Sequence, residues 1–235
     1  MEIRTQVLKD MIAMTNALKE SNVTVYQDDE GWRIDILDPS HIQMTRLRIP
    51  AERFTDYHTG EAFAMSAEKL GKALNVCGET LDIEVGNGIA VRSGRIRMTV
   101  PKYDIGEAFT WPPIADFSAE CIVSSDVMRE MSDASPDEAD NLSMTIGEAG
   151  LSMASTNDTA TASAIMDVPA ADCVMCEGAA QGRFAWLTWR AFLKGVPKGT
   201  EIDMRTSDNY PLNVRFTTQN GLQGEWVLAP WIVED

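Results

Sequence analysis

The chain has 235 residues and a net charge of −16, because 36 acidic residues outnumber 20 basic ones. That length is enough for one large domain or two of about 115 residues. The charge argues against a protein whose whole surface binds nucleic acid or anionic lipid. No apolar run approaches the roughly 18 residues of a membrane-spanning helix, and MEIRTQVLKD has no signal-peptide core. We therefore expect a soluble, cytoplasmic protein with no membrane partner.

The sequence contains little that indicates catalysis. The short motifs of phosphate-binding loops, metalloproteases and serine hydrolases do not occur. His41 and His58 each have a carboxylate nearby, but spacing ties no Ser or Cys nucleophile to either of them. An enzyme is therefore disfavoured and no cofactor is expected. An α+β enzyme that uses His41 or the Cys173/Cys176 pair stays as the alternative from a different class.

Cys173 and Cys176 form a C-V-M-C motif, whose spacing suits a zinc or redox site. A structural zinc needs about four ligands, and the two histidines lie far away in sequence. The surrounding residues alternate like a strand, which would place the two thiols on opposite faces. The sequence therefore predicts no metal site.

The predicted elements follow the same order in each half of the chain: strand, helix, alternating strands, a second helix and further strands. Extended runs end at Ile49–Pro50 and, 119 residues later, at Val168–Pro169. This spacing predicts an α+β fold built as a tandem duplication. Two prolines within residues 105–117 remove backbone donors, which indicates an extended linker. The predicted domains are residues 1–104 and 118–235.

Six of the seven lysines lie on or beside predicted helices, whereas the strands carry the acidic residues. One interpretation is that lysine simply favours solvated helix faces. The other is that helices from both repeats form one positive surface inside a negative body. Such a surface suits a protein that surrounds a polyanion without binding it tightly.

Several motifs resemble the archaeal and eukaryotic sliding clamps, the proliferating cell nuclear antigen (PCNA) family. They are L-D-P-S-H-I-Q-M-T-R-L at 37–47, P-P-I-A-D-F-S-A-E at 112–120, K-G-V-P-K-G-T-E-I at 194–202, Y-P-L-N-V-R-F at 210–216 and the terminal W-V-L-A-P-W-I-V-E-D. The resemblance implies two similar domains per chain, with helices on one side and antiparallel sheets on the other. It also implies a head-to-tail homotrimeric ring around double-stranded DNA. Such a clamp has no catalysis of its own: a clamp loader places it on DNA, where it tethers DNA polymerase and proteins such as ligase or flap nuclease.

The resemblance assigns residues to three surfaces. The charge pattern and the resemblance together predict that Lys9, Lys72, Arg129, Arg190, Lys194 and Lys198 face DNA, without reading its sequence. A partner-peptide groove between the domains would be lined by Leu37, His41, Ile42, Met44, Phe109, Trp111, Pro112, Pro211, Val227, Ala229, Pro230 and Ile232. Neighbouring chains would meet by pairing the strands at 95–100 and 161–166, with apolar contacts from Ile96, Met98, Ala164 and Met166.

Two features leave alternatives open within the family. Trp231 stands where the family usually has Lys or Arg, which leaves the groove chemistry and the choice of partner open at that position. The chain could also be one subunit of a heterotrimeric or checkpoint-type clamp. A clamp of this kind is expected in the cytoplasm, associated with the nucleoid, if the source is archaeal, and in the nucleus if it is eukaryotic.

Overall fold

The first half of the chain forms strands and two helices in the predicted order. Its elements are β1 Glu2–Arg4, α1 Thr5–Ala17, β2 Asn22–Asp28, β3 Gly31–Leu37, β4 Gln43–Pro50, a 3-10 helix Ala51–Arg53, β5 Phe54–Thr55, β6 Gly60–Ser66, α2 Ala67–Leu74, β7 Thr80–Val85, β8 Gly88–Ser93 and β9 Ile96–Tyr103. The first helix starts at Thr5, directly after the three-residue strand β1.

The second half repeats this order. Its elements are β10 Ala119–Ser124, α3 Ser125–Ala134, β11 Asn141–Gly147, β12 Gly150–Thr156, β13 Ser163–Pro169, a 3-10 helix Ala170–Asp172, β14 Met175–Gly178, β15 Ala180–Ala185, α4 Trp186–Gly195, β16 Glu201–Thr206, β17 Leu212–Thr217 and β18 Gln223–Leu228. Residues 110–117 of the predicted linker have no helix or strand.

The computed structural model describes residues 1–105, 110–157, 159 and 162–231. The chain divides into two units. Unit 1 contains Met1–Leu37, Thr45–Trp111 and Thr217–Gly224, and unit 2 contains Asp38–Met44, Pro112–Phe216 and Glu225–Asp235. Each unit therefore includes a short segment from the opposite half of the chain, and the predicted domain limits stay a prediction.

The repeat is visible at the level of single residues. Gly31 and Gly150 open the matching strands β3 and β12 with φ values of 130° and 122°. A Cβ atom at Gly31 would collide with the backbone of residues 49–51, and one at Gly150 with that of residues 168–170. Only glycine tolerates this conformation and this close approach. The tandem duplication is confirmed, since both halves have a glycine with the same backbone conformation and the same close backbone contact at the matching position.

The strands of each unit pair antiparallel. In unit 1 the order is β5-β1-β7-β8-β9-β6-β2-β3-β4, and the two helices contact each other. In unit 2 one sheet has the order β14-β10-β16-β17-β18, the other has the order β13-β12-β11-β15, and α3 contacts α4. The predicted α+β class is confirmed.

Aromatic residues fill much of each core. In unit 1 the Trp32 ring lies 5.3 Å from that of Phe54 and 5.6 Å from that of Phe63. In unit 2 the rings of Phe192 and Trp226 stack at 4.3 Å. Such contacts stabilise a core beyond the area they bury. Among the described helices, none is both long and apolar enough to cross a membrane.

The strand prediction for the C-V-M-C motif is wrong at its first half. Cys173 follows the 3-10 helix and forms no strand, because β14 begins only at Met175. The backbone N–H of Cys173 donates to Ala170 O at 3.3 Å, which closes the turn. The two cysteines therefore do not alternate across a sheet, and their thiols come close together.

Candidate DNA-facing, partner-binding and subunit-contact surfaces

Four of the predicted DNA-facing residues line one groove between α3 and α4 in unit 2. The groove has a volume of about 580 Å³, and its basic residues are Arg129, Arg190, Lys194 and Lys198. Acidic side chains, among them Asp126 and Glu130, lie in the same lining. The groove thus carries charges of both signs, and only Lys194 and Lys198 among its cations are exposed.

Arg129 has a structural role that its charge alone does not reveal. Its Nη2 donates to the main-chain oxygens of Leu193, at 2.9 Å, and Val196. These carbonyls lie at the end of α4, where the last turn leaves its acceptors without helical partners. A positive guanidinium there also interacts favourably with the helix dipole. Arg129 therefore joins α3 to α4 and has less freedom to contact a phosphate than an exposed lysine.

The predicted cations of unit 1 lie on its two helices. Lys72 forms an ion pair with Glu68 one turn earlier on α2, with Nζ and Oε1 2.5 Å apart. The hydrogen bond from Lys72 lowers the pKa of the Glu68 carboxyl. Lys9 lies half-buried on α1. Lys9 and Lys72 are thus both located on helices, as predicted, but Lys72 already has an acidic partner.

The loop that carries His41 and Ile42 is held by hydrogen bonds to Asp38. Ser40 N donates to Asp38 Oδ2 at 2.9 Å and His41 N donates to Asp38 O at 2.8 Å. His41 has a φ of 59°, which directs the chain out of the turn. Ile42 remains 41% exposed. This loop belongs to unit 2. The apolar side chain of Ile42 is therefore exposed at the surface of unit 2, next to a hydrogen-bonded turn.

The same loop contacts the C-terminal segment of unit 2. Ala229 N donates to Ile42 O at 2.8 Å, and the Trp226 indole N–H donates to Gln43 Oε1 at 2.9 Å. Two predicted groove segments that are 187 residues apart in sequence are therefore brought together within one unit. Pro230 is half-buried and Trp231 is 47% exposed beside them.

The remaining groove residues differ in exposure and position. Val227 is 4% exposed, so it packs in the core of unit 2 and offers a partner little surface. Met44, Pro112 and Pro211 lie in unit 2, where Met44 and Pro211 are half-buried and Pro112 is exposed. Leu37 and Trp111 lie in unit 1, and the Arg46 guanidinium carbon lies 4.7 Å from the centre of the Trp111 ring. Phe109 and Ile232 lie outside the described residues.

Both predicted contact strands lie at sheet edges over most of their length. β13 pairs with β12 alone among the described strands. β9 pairs with β8 through Ile96–Pro101. On the other side of β9, only Lys102 and Tyr103 among the described residues pair with β6. Such edges present rows of backbone donors and acceptors that another strand can pair with.

Two proteins that resemble this chain over most of its length are DNA polymerase sliding clamps. No family model matches the sequence. A DNA polymerase sliding clamp of Thermoplasma acidophilum is 22% identical over 86% of this chain and 87% of its own length. One from Thermoplasma volcanium is 20% identical over 98% of this chain and 97% of its own length.

Solved structures give the same result for the fold. A chain of the structure described as the C-terminal region of FEN-1 bound to A. fulgidus PCNA is 17% identical and superposes with a TM-score of 0.86, covering 100% of this chain and 98% of its own. The PCNA of Thermococcus kodakaraensis is 16% identical, with a TM-score of 0.87 over 98% and 99%. The resemblance to the PCNA-type sliding clamps is confirmed. A PCNA2–PCNA3 complex from Sulfolobus tokodaii also matches, with 17% identity and a TM-score of 0.83 over 97% of this chain and 98% of that one.

Within this clamp fold, one exposed apolar residue on the second edge is not among the predicted contact residues. The predicted residues on β13, Ala164 and Met166, are half-buried. Ile165, between them, is 70% exposed and points to the opposite face of the strand. The alternation of the strand was the available signal, but alternation does not reveal which of the two faces is covered. Ile96 on β9 is 38% exposed and Met98 is half-buried.

Proposed function

We propose that this chain is a DNA sliding clamp, a processivity factor that encircles duplex DNA and tethers replication and repair enzymes. The observation that carries the proposal is the similarity to DNA polymerase sliding clamps over nearly the whole chain. The internal repeat supports it, since two similar units per chain can build a ring from few copies. Tethering converts the rebinding of a polymerase into an intramolecular event at high effective concentration.

The ring we propose is a head-to-tail homotrimer. One chain has an open edge in unit 1, β9, and another in unit 2, β13. Pairing β9 of one chain with β13 of the next uses two different surfaces, so the contact is heterologous and closes only if the rotation matches. Three chains require about one third of a turn at each contact. This arrangement leaves both edges covered.

The proposed DNA contact is loose and independent of sequence. A protein with a net charge of −16 repels DNA over most of its surface, so the favourable contacts come from the helices. Lys194 and Lys198 are the exposed cations of the α3–α4 groove. Contacts to phosphates fix position without reading bases, which is what a protein that slides requires.

Partner enzymes are proposed to dock a short peptide against the surface of Ile42, Met44, Ala229 and Pro230. The hydrogen bond between Ala229 and Ile42 makes this surface continuous, and Ile42 supplies an exposed apolar anchor. A few apolar anchors can carry most of the free energy of such an interface. DNA polymerase, the clamp loader, and proteins such as a ligase or flap nuclease are the proposed partners.

We infer that the chain has no catalytic activity, since tethering needs none. We place the clamp where the chromosome is, in the cytoplasm of an archaeon or the nucleus of a eukaryote. A second candidate is one subunit of a heterotrimeric clamp. The similarity to a chain of the PCNA2–PCNA3 complex favours keeping this candidate.

The test combines particle mass with polymerase processivity. Light scattering should give about three times the chain mass of 25.9 kDa. With the clamp loader and polymerase of the source cell, the wild type should lengthen the products on primed circular DNA. The Ile42→Ala/Met44→Ala variant should keep the trimer mass and lose most of this stimulation.

The matched control is Val76→Ala/Leu187→Ala, which truncates two other exposed apolar residues and should behave like the wild type. A monomer that forms trimers only after a second clamp protein is added would identify the heterotrimer. A stable monomer that never stimulates a polymerase would overturn the proposal.

A further inference from the structure

Three cysteines from three segments of unit 2 meet at one point. Cys121 lies in β10, Cys176 in β14 and Cys173 just after the 3-10 helix, and their sulfur atoms all lie within 4.8 Å of one another. Cys121 and Cys176 are direct partners in the antiparallel pairing of β10 with β14. The Val174 N–H donates to Ile122 O at 2.9 Å, which holds the preceding cysteine beside the same strand.

The spacing of the thiols matches the ligand geometry of a metal. The sulfur atoms of Cys121 and Cys173 are 3.7 Å apart. In a tetrahedral site with zinc–sulfur bonds of about 2.3 Å, two ligand sulfurs lie about 3.8 Å apart. Thiolates are soft ligands and select thiophilic ions over magnesium or calcium. One pair of sulfurs is therefore already at the spacing that such an ion would require, and the third sulfur lies within 4.8 Å of both.

We propose that Cys121, Cys173 and Cys176 form a binding site for one thiophilic metal ion, with Zn²⁺ as its representative, and that solvent takes the fourth position. The proposal is independent of the clamp function. Cys121 is fully buried, while Cys173 and Cys176 are half-buried, so the site has one anchored ligand and a side open to solvent. An ion can thus reach the sulfurs without unfolding of the sheet.

Binding must be coupled to proton release. Burial raises the pKa of the Cys121 thiol and, to a smaller extent, that of Cys173. These groups bind the ion only as thiolates. When all three are thiols at the start, three Cys–SH and Zn²⁺ give one Zn(S–Cys)₃⁻ centre and three protons. The affinity should therefore increase with pH, by up to about tenfold per pH unit for each proton released.

The bound ion would join parts of unit 2 that are held now by weaker contacts. Cys173 Sγ lies 3.5 Å from Pro169 O at the end of β13, and Cys176 Sγ lies 3.4 Å from Gly147 O at the end of β11. A metal centre would fix the end of β13 to β10 and β14. Because binding to the folded state alone stabilises it, the metal should raise the melting temperature.

The experiment uses the full chain without a metal-binding tag, kept reduced and stripped with a chelator. Zn²⁺ is titrated against a chromophoric chelator, and we expect one ion per chain with an affinity that rises with pH. Cys173→Ser and Cys176→Ser should each weaken binding by more than about tenfold. Cys77→Ser is the matched control, because Cys77 is a half-buried cysteine in unit 1 and should leave binding unchanged.

Two further measurements keep the result interpretable. Circular dichroism of the metal-free variants reports whether each one is folded. Co²⁺ bound to the wild type should show sulfur-to-metal charge-transfer absorption, which both serine variants should lose. The proposal is wrong if the reduced wild type binds no Zn²⁺, or if folded Cys173→Ser and Cys176→Ser bind it as the wild type does.

Discussion

At the scale of single residues, the environment decides what a side chain does. The Tyr57 hydroxyl donates to Asp28 O at 2.8 Å, and its ring lies 5.2 Å from that of Phe54. Burial, followed by the nearby negative charge of Asp28, raises the pKa of Tyr57 to about 12. The phenol therefore holds its proton more tightly in the folded chain than in the unfolded chain, where its pKa is about 10.

This shift predicts a loss of stability at high pH. The contribution of Tyr57 to the free energy of unfolding is complete below pH 10 and is lost as the pH rises through about 12. Tyr57→Phe should lose about 1 kcal/mol at pH 7 with the hydrogen bond, and should show a shallower decline above pH 10. Urea unfolding of both proteins between pH 7 and 11.5 tests this. Parallel pH profiles would contradict it.

At the scale of elements, the edge strands form the subunit contacts of the proposed ring. β13 has one paired edge among the described strands and exposes Ile165, which is 70% accessible. A large exposed apolar residue on an open edge favours aggregation unless another strand covers it. In the proposed ring, β9 of the neighbouring chain provides that cover.

Ile165→Asp should weaken the trimer. Burying an isoleucine contributes roughly 2 kcal/mol, and an aspartate placed at a partly covered site adds a desolvation cost. We expect the dissociation constant of each contact to rise by at least about thirtyfold, which a concentration series in light scattering would detect. Leu187→Asp is the matched control, because Leu187 is 60% exposed on α4 and belongs to neither edge strand. Equal trimer stability in the two variants would show that β13 is not at the subunit contact.

At the scale of the whole molecule, charge is distributed unequally. The net charge is −16, yet Lys9, Lys69, Lys72 and Lys194 lie on helices, and Lys19 and Lys198 follow helix ends. Arg129 is engaged by main-chain carbonyls, and Arg190 lies 3.7 Å from an Asp137 oxygen. In the α3–α4 groove, the exposed cations are therefore lysines rather than arginines.

Lys194→Ala/Lys198→Ala should weaken the binding of duplex DNA and reduce its salt dependence. Each phosphate contact contributes roughly 0.9 to the slope of log affinity against log salt, so the slope should fall by up to about 1.8. Fluorescence anisotropy at several salt concentrations measures it. Arg92→Ala/Lys102→Ala on β8 and β9 removes the same charge from strands and should have a smaller effect on the slope. Equal slopes in the two variants would mean that α4 does not face DNA.

The sequence alone determined the architecture, because its signals are local or repeat along the chain. Alternation predicted the strands, and the 119-residue offset predicted the duplication that Gly31 and Gly150 confirm. The motifs around Ile42 and the C-terminus indicated the clamp family. Each of these patterns is contained in a few consecutive residues or repeats along the chain, so no tertiary contact was needed to find them.

Only the tertiary structure decided which side chains are available for function. Strand pairing places Cys121 beside Cys173 and Cys176, more than 50 residues away in sequence, so spacing within the C-V-M-C motif could not reveal a third ligand. The packing of α3 against α4 engages Arg129, which a charge count treats like any other cation. Burial and hydrogen bonding depend on contacts between distant segments, and they exist only once the chain has folded.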